Sequence, residues 1–217
     1  MMNFAAELSA RGYVDLGEID AGAPIVEIAQ AVARGISARP FESTEILRAS
    51  SAGSKPLNTY GGNYGLAALP LHTDLAHWYV PPRYVLLRCI VGSPEVATRI
   101  VHHRALARCL PSGVIERALV RPRRRLDGKM YLLRMLQEGI FRWDQLFLES
   151  ENAEARLVRS LIANEALRFD AADVLLDTPG KTILIDNWNV LHGRSAVPSL
   201  AVARRLERVY LEDNPDD

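Results

Sequence analysis

The sequence is poor in cysteine, has no excess of either charge and contains no long apolar run. Its two cysteines, Cys89 and Cys109, lack the spacing of a structural zinc site and are too few for a disulfide framework, so we expect reduced core thiols. Because 26 basic residues balance 26 acidic ones, no overall field attracts the chain to nucleic acid or to an anionic membrane. Residues 1–16 mix both charges and resemble neither a signal peptide nor a spanning helix, so a cytoplasmic protein is expected.

Apolar residues, in contrast, are plentiful. They make up 48% of the 217 residues, which is enough for a substantial core. No repeat, low-complexity tract or linker divides the chain, so we expect one domain spanning residues 1–217.

The apolar pattern changes its period several times along the chain. Helical spacing predicts helices over residues 23–35 and 152–168, the second capped by Asn152. The nearly continuous apolar run YVLLRCIV, bounded by proline and glycine, predicts a buried strand over residues 84–91. The glycine-rich residues 50–68 predict a long loop, a kind of segment that often carries function. Weaker patterns predict mixed helix over 102–117, strands within 130–148 with a turn near 138–139, and strands over 181–185, 187–191 and 204–211.

The segment LPLHTDLAHW, residues 69–78, places His72 and Asp74 two positions apart. Positions i and i+2 of a strand share a face, so an imidazole and a carboxylate would lie side by side. A second histidine, His192, ends a late apolar run, and Gly193 after it allows the backbone to turn away. Two imidazoles and one carboxylate on one face of an octahedron leave three positions open, which suits non-haem Fe(II). Either histidine alone is equally well explained as a hydrogen-bonded core residue, but the three together are not.

Four motifs carry a family resemblance: LHTD at 71–74, PPRY at 81–84, LLRCIVGSPEVAT at 86–98, and IDNWNVLHGRSAV followed by RRLERVYL. In this order and spacing they resemble the TauD/TfdA-like, or clavaminate-synthase-like, Fe(II)/2-oxoglutarate-dependent dioxygenases. The likeness spans residues 57–98 and 174–213. It implies a mainly β fold with flanking helices around a double-stranded β-helix, the jelly-roll or cupin-like core.

The resemblance also implies roles for individual residues. His72, Asp74 and His192 are expected to bind Fe(II), and Thr98 and Arg204 to bind the distal carboxylate of 2-oxoglutarate. The turn before Thr98 departs from the Gly-Gly-Asp-Thr of the family.

Other residues are expected near the substrate. Arg205 competes with Arg204 as the anchor of 2-oxoglutarate, although strand alternation places Arg204 and Arg208 on one face. Arg208 is expected to bind an acidic substrate group, and Tyr60 and Asn58 to face the pocket. Arg194 is either a surface ion-pair partner or a pocket residue.

The implied activity is hydroxylation, with Fe(II), 2-oxoglutarate and dioxygen, of a small carboxylate-bearing, amino-acid-like or carrier-bound metabolite. Asp74 argues against halogenation, because halogenating relatives carry a small residue in place of this carboxylate. A nucleic-acid demethylase using RPRRR at 121–125 and a non-catalytic metal-binding jelly roll remain alternatives. We expect RPRRR to be a solvated loop neutralised by Glu116, Asp127 and the acidic tail. The expected partner is a small molecule, with no nucleic acid and no membrane, and homo-oligomerisation is left open.

Overall fold

The computed structural model describes residues 4–50, 53, 56, 59–164 and 171–213. Strands dominate these residues and helices flank them. The helices are α1 (Phe4–Arg11), α2 (Ile25–Arg34), α3 (Tyr60–Tyr64), α4 (His103–Arg108), α5 (Val114–Arg117) and α6 (Ala153–Ala163). The strands are β1 (Tyr13–Glu18), β2 (Ala38–Arg48), β3 (Leu69–His72), β4 (Tyr84–Val91), β5 (Ala97–His102), β6 (Leu119–Pro122), β7 (Leu133–Arg134), β8 (Leu136–Gln137), β9 (Ile140–Phe141), β10 (Leu148–Ser150), β11 (Ala172–Leu175), β12 (Lys181–Asp186), β13 (Val190–Arg194) and β14 (Arg205–Asp213). In this part of the chain no helix has the length and apolar character needed to cross a bilayer.

Two antiparallel sheets form the centre of the molecule. The larger has the strand order β1-β12-β4-β14-β2 and the smaller has the order β11-β5-β13-β3. Val85, Leu87 and Ile183 of the larger sheet pack in one cluster with Ile100 and Val190 of the smaller one. Two antiparallel sheets that face each other across a shared core have the two-layer architecture of a jelly roll, and the predicted fold class is confirmed.

The central strand β4 is covered on both faces. Tyr84 and Leu86 pack beneath α2, whereas Val85 and Leu87 point into the space between the sheets. A strand buried on both faces reads as a continuous apolar run instead of an alternating one, which is why the sequence predicted β4 correctly. The helix predicted over residues 23–35 is α2, which buries one apolar face against the same sheet.

A second core lies at the side of the jelly roll. Helices α4, α5 and α6 pack there with the small sheet β10-β6-β7 around Phe141, Trp143 and Leu148. The side chain of Asn152 caps α6 as predicted, accepting a hydrogen bond from the Ala155 N–H at 3.0 Å. The predicted helix extended to residue 168, but residues 165–168 lie outside the described part of the chain.

One sequence-based expectation fails in the fold, and one strand was missed. Cys89 is buried, but Cys109 is exposed at the end of α4, so the prediction of two core thiols is wrong for the second cysteine. Strand β2 was not predicted, because an edge strand with mostly exposed side chains shows no apolar alternation.

The basic segment RPRRR finds partners other than the predicted ones. Arg121 forms ion pairs with Glu149 and Glu151, and Arg123 pairs with Glu149 at 2.6 Å. The reason is strand register, because β10 pairs antiparallel with β6 and places Glu149 opposite Arg121. The pairing with β10 therefore offsets part of the positive charge of this segment.

Candidate metal centre

A cavity of about 390 Å³ lies between the two sheets. Residues of β2, β4 and β14 line one wall, and residues of β3, β5 and β13 line the other. Seven of the predicted site residues contribute to the lining: Tyr60, His72, Asp74, Thr98, His192, Arg204 and Arg208. Asn58, also predicted to face the pocket, lies outside the described residues.

Two histidines and an aspartate meet in this cavity. His72 is the last residue of β3, and His192 on β13 is its direct partner in the strand register. Asp74 Oδ1 lies 3.4 Å from His72 Nε2 and 3.6 Å from His192 Nε2. One ligand atom from each residue lies within 4.8 Å of the others, and all three side chains are buried. This arrangement is compact enough for the three residues to hold a single ion.

Asp74 reaches this position from a turn, not from a strand as predicted. Strand β3 ends at His72, and Asp74 follows it next to Leu75, whose φ is 54°. The side chain of Asn187 holds the turn: its Oδ1 accepts from the Asp74 N–H at 2.7 Å and its Nδ2 donates to Asp74 O at 3.0 Å. A side chain from a distant segment, and not strand alternation, therefore places the carboxylate beside His72.

Gly193 brings two strands together instead of turning the chain away. It continues β13 and pairs with Arg99 of β5. A Cβ built at Gly193 would lie 2.7 Å from the Leu69 carbonyl oxygen of β3. A side chain here would force β13 and β3 apart and separate His192 from His72.

Hydrogen bonds and charges prepare the three side chains for a cation. His72 Nδ1 donates to the Pro70 carbonyl at 2.8 Å, which leaves the Nε2 lone pair facing the other ligands. Burial disfavours the charged form of both imidazoles; it lowers the pKa of His192, whereas at His72 the neighbouring Asp74 outweighs burial and raises the pKa. Burial also opposes ionisation of Asp74, but Arg208 and the imidazoles outweigh it and hold the pKa of this carboxyl well below its ordinary value. Asp74 is therefore a carboxylate at neutral pH.

The second oxygen of Asp74 is occupied by two donors from β14. Arg208 Nη1 donates to Asp74 Oδ2 at 2.9 Å, and the Tyr210 hydroxyl donates to the same oxygen at 3.0 Å. Arg208 also pairs through Nη2 with Glu45 of β2, a mostly exposed side chain. Arg208, predicted as a substrate residue, thus hydrogen-bonds to a member of the candidate ligand triad, which consists of His72, Asp74 and His192. Tyr210 was not singled out from the sequence.

Arg204 lies in the same cavity but has a different environment. Its exposed fraction is 8%, and its Nε and Nη2 have no hydrogen-bond partner among the described residues. Burial, with the nearby Arg194 charge, lowers the pKa of Arg204 to about 10, so it remains a cation at neutral pH. Thr98 of β5 is buried and lines the cavity with it, while Arg205 is exposed.

Arg194 is a lining residue that supports a loop. Its guanidinium donates to the carbonyls of Gly65 at 2.9 Å and Ala67 at 2.7 Å. It therefore stabilises the segment after α3 and adds positive potential near Arg204.

An aromatic and a carboxylate complete the cavity. The Tyr60 ring stacks on His72 with 4.2 Å between ring centroids, and its hydroxyl is buried. Asp144, which sequence reasoning missed, is 1% exposed and lines the cavity. Its Oδ1 accepts from the backbone N–H groups of Leu146 at 2.7 Å and Phe147 at 3.0 Å, and burial raises its pKa. In the sequence this aspartate follows the mixed segment IFRW, and no local pattern marks it as a cavity residue.

Comparisons with known proteins give a structural match without a sequence match. No protein-family model matches the chain, and no curated protein matches it. A solved structure of asparagine oxygenase in complex with Fe(II), 3-hydroxyasparagine and succinate is similar with a TM-score of 0.69 and 16% identity, over 96% of this chain and 77% of that chain. Non-heme iron oxygenase OrfP in complex with Fe and alpha-ketoglutaric acid is similar with a TM-score of 0.72 and 15% identity, over 96% of this chain and 78% of that one. OrfP in complex with Fe, succinate and (3S)-hydroxy-L-Arg gives a TM-score of 0.67 at 15% identity, over 96% and 78% of the two chains. The chain therefore has the fold of these non-haem iron oxygenases.

Proposed function

We propose that this protein is an Fe(II)- and 2-oxoglutarate-dependent oxygenase of the TauD/TfdA-like type that hydroxylates a small amino-acid-like metabolite. The observation that carries the proposal is that the ligand triad and the buried guanidinium of Arg204 share one cavity. A 2-oxo dicarboxylate suits both features: its 2-oxo acid end offers two oxygens to a metal, and its other carboxylate matches the fork of an arginine.

The donor set fits Fe(II). Two imidazoles and one carboxylate, all buried, are the ligands of a facial triad with open positions. In this proposal His72, Asp74 and His192 hold the ion. The chemistry that bound iron supplies is the reaction of dioxygen with 2-oxoglutarate and substrate, which yields succinate, carbon dioxide and a hydroxylated product.

Arg204 and Thr98 would bind the far carboxylate of 2-oxoglutarate. A buried donor without a partner costs about 1 to 3 kcal/mol, and a bound carboxylate removes this cost. The guanidinium of Arg204 has two such N–H-bearing nitrogens, and the Thr98 hydroxyl lines the same cavity. This is the arrangement expected of a site that is completed by its ligand.

Aromatic rings shield the metal side of the cavity. Tyr60 covers His72, and Phe147 approaches Tyr60 edge-on with 6.2 Å between ring centroids. These rings would exclude bulk water around the reacting carbon.

The cavity also supports an amino-acid-like substrate. The neighbouring structures hold hydroxylated asparagine and hydroxylated arginine, and we infer a substrate of the same class. Asp144 offers a buried carboxylate to an amino or other cationic group. Arg208 is the predicted partner of the substrate carboxylate, which would replace the mostly exposed Glu45 on Nη2. A cytoplasmic location and a carrier-bound form of the substrate stay predictions from the sequence.

The direct test is turnover. The purified chain is incubated with Fe(II), 2-oxoglutarate and dioxygen in the presence of pools of amino acids and other small carboxylates. We expect succinate formation together with a product that has gained one oxygen atom. His192→Ala is the control and should give neither; equal succinate formation by both proteins, or none by either with every pool, would contradict the proposal.

A further inference from the structure

The two oxygens of the Asp74 carboxylate have different surroundings. Oδ1 faces the two imidazoles, 3.4 Å from His72 Nε2 and 3.6 Å from His192 Nε2. Oδ2 faces β14, where Arg208 Nη1 at 2.9 Å and the Tyr210 hydroxyl at 3.0 Å both donate to it. One oxygen of the carboxylate thus faces the other two candidate metal ligands, and the second oxygen is hydrogen-bonded to β14.

This division limits how Asp74 can bind a metal. A carboxylate can bind through one oxygen or through both. To bind through Oδ2 as well, Asp74 would have to weaken a charge-assisted hydrogen bond from Arg208 and a second bond from Tyr210. Both donors are held in place, because they lie on a strand paired on both sides, with β4 and with β2.

The number of ligand atoms matters in a six-coordinate site. Two imidazoles and one carboxylate oxygen leave three positions. A 2-oxo acid that binds through two oxygens leaves one of these three for a gas molecule. If Asp74 bound through both oxygens, that last position would be filled.

We propose that Tyr210, together with Arg208, is a positioning residue that holds Asp74 as a one-oxygen ligand and so keeps one coordination position open. The inference rests on the metal site of the proposed function but not on the identity of the substrate.

Tyr210 is the better residue to test. Arg208 also pairs with Glu45, and its removal would leave the buried Asp74 charge without its cation. Tyr210→Phe removes one oxygen atom only, and the ring keeps its edge-on contact with Phe41. Tyr84→Phe is a matched control: Tyr84 is a buried tyrosine on the neighbouring strand β4, packed on the opposite side of the sheet beneath α2.

The experiment has two measurements on the unaltered chain, Tyr210→Phe and Tyr84→Phe. The first is the affinity for Mn(II), followed by the loss of the paramagnetic resonance signal of the free ion. The second is the binding of nitric oxide, a stable probe of an open position, to the anaerobic protein loaded with Fe(II) and 2-oxoglutarate, followed by the resonance signal of the nitrosyl species.

We expect Tyr210→Phe to bind Mn(II) as tightly as the unaltered chain or more tightly, and to need at least about threefold more nitric oxide for half-saturation. Tyr84→Phe should match the unaltered chain in both measurements. Equal nitric oxide binding by all three proteins would overturn the inference while leaving the metal site intact. Weaker Mn(II) binding by Tyr210→Phe would also overturn it, since the hydroxyl would then support the ligand without restricting it. Absence of Mn(II) binding in the unaltered chain would remove the metal site itself. Should Tyr210→Phe fail to fold, Arg208→Lys, which loses the fork but keeps a cation, should show the same rise in the nitric oxide requirement.

Discussion

Two of the arginines that line the cavity, Arg204 and Arg208, have opposite environments. Arg208 donates to Asp74 and to Glu45, so its charge is bound within the protein. Arg204, four residues earlier, is more deeply buried, yet two of its nitrogens have no partner among the described residues. A buried charge is retained when it is paired, and an unpaired one implies a missing partner. The comparison supports the proposed function: the part of the cavity around His72, Asp74 and His192 (the metal end) is paired within the protein, whereas the part around Arg204 would be completed by a ligand.

The largest effect should come from removing a ligand at the metal end. His192→Ala deletes one of three ligands, and we expect a loss of Fe(II) or Mn(II) affinity of more than about 100-fold, since outer residues alone typically contribute 10- to 100-fold. Calorimetric titration with Mn(II) measures it. His103→Ala is the control, because His103 lies on α4 and is not among the lining residues. Equal Mn(II) affinity of the two variants would contradict the assignment of His192 as a metal ligand.

The part of the cavity around Arg204 can be tested by substituting Arg204 and its neighbour Arg205 in turn. Arg204→Gln should raise the apparent dissociation constant of 2-oxoglutarate by about 30-fold or more, equivalent to at least 2 kcal/mol, because the buried charge partner of the carboxylate is lost. Arg205→Gln changes the exposed next residue, the first of β14, and should shift this dissociation constant less than about twofold. Titration of 2-oxoglutarate into the Mn(II)-loaded variants gives both values. If Arg205→Gln were the damaging change, Arg204 would not be the residue that binds 2-oxoglutarate, and its contrast with Arg208 would not hold.

A smaller effect is expected from Asn187, whose side chain hydrogen-bonds to the backbone of Asp74. Asn187→Ala removes both side-chain hydrogen bonds to the Asp74 backbone, so the carboxylate is no longer held against His72. We expect about 10-fold weaker Mn(II) binding and a loss of about 1 to 3 kcal/mol in the free energy of unfolding. Urea unfolding and metal titration measure these effects. Asn189→Ala, which removes one bond to Asp186, is the control and should leave metal affinity unchanged.

The smallest effect is expected for His102, which is not among the residues lining the cavity. Burial, with the nearby His103 and Arg104 charges, lowers the pKa of His102 to about 4, so the folded protein keeps this ring neutral. The unfolded chain, with a pKa near 6.5, binds more protons between pH 6.5 and 4. The contribution of His102 to stability is therefore present above pH 6.5 and is lost as the pH falls toward 4.

This pH effect can be isolated by substitution. His102→Asn keeps a helix-capping acceptor but cannot be protonated. Between pH 7.5 and 5 the unaltered chain should lose about 1 kcal/mol more unfolding free energy than the variant, a modest value because the half-buried ring is partly screened by solvent. Parallel pH dependences of the two proteins would show that His102 has no such role.

Elements with a strong local pattern were predictable from the sequence. Strand β4 and helix α2 follow from apolar periodicity, because burial on one or both faces determines which residue types each position accepts. The spacing of His72 and Asp74 and the position of His192 pointed to one site, and the structure brings the three together. Strand alternation nevertheless does not place Asp74, which lies in a turn after β3.

Long-range partners were not predictable. Asn187 meets the Asp74 backbone across 113 positions, and Tyr210 meets its carboxylate across 136. No local pattern encodes such contacts, because they depend on which strands become neighbours in the folded sheet. Asp144 was missed for the same reason: only the fold shows that this aspartate lies at the cavity.

Anaerobic addition of 2-oxoglutarate to the Fe(II)-loaded chain tests directly whether iron and 2-oxoglutarate bind together in this cavity. Chelation of Fe(II) by a 2-oxo acid produces a visible charge-transfer absorption band. We expect a band that saturates at one 2-oxoglutarate per chain, is absent in His192→Ala and requires much more 2-oxoglutarate in Arg204→Gln. A chain that gives no band, or a band unchanged by both substitutions, would contradict the proposed function.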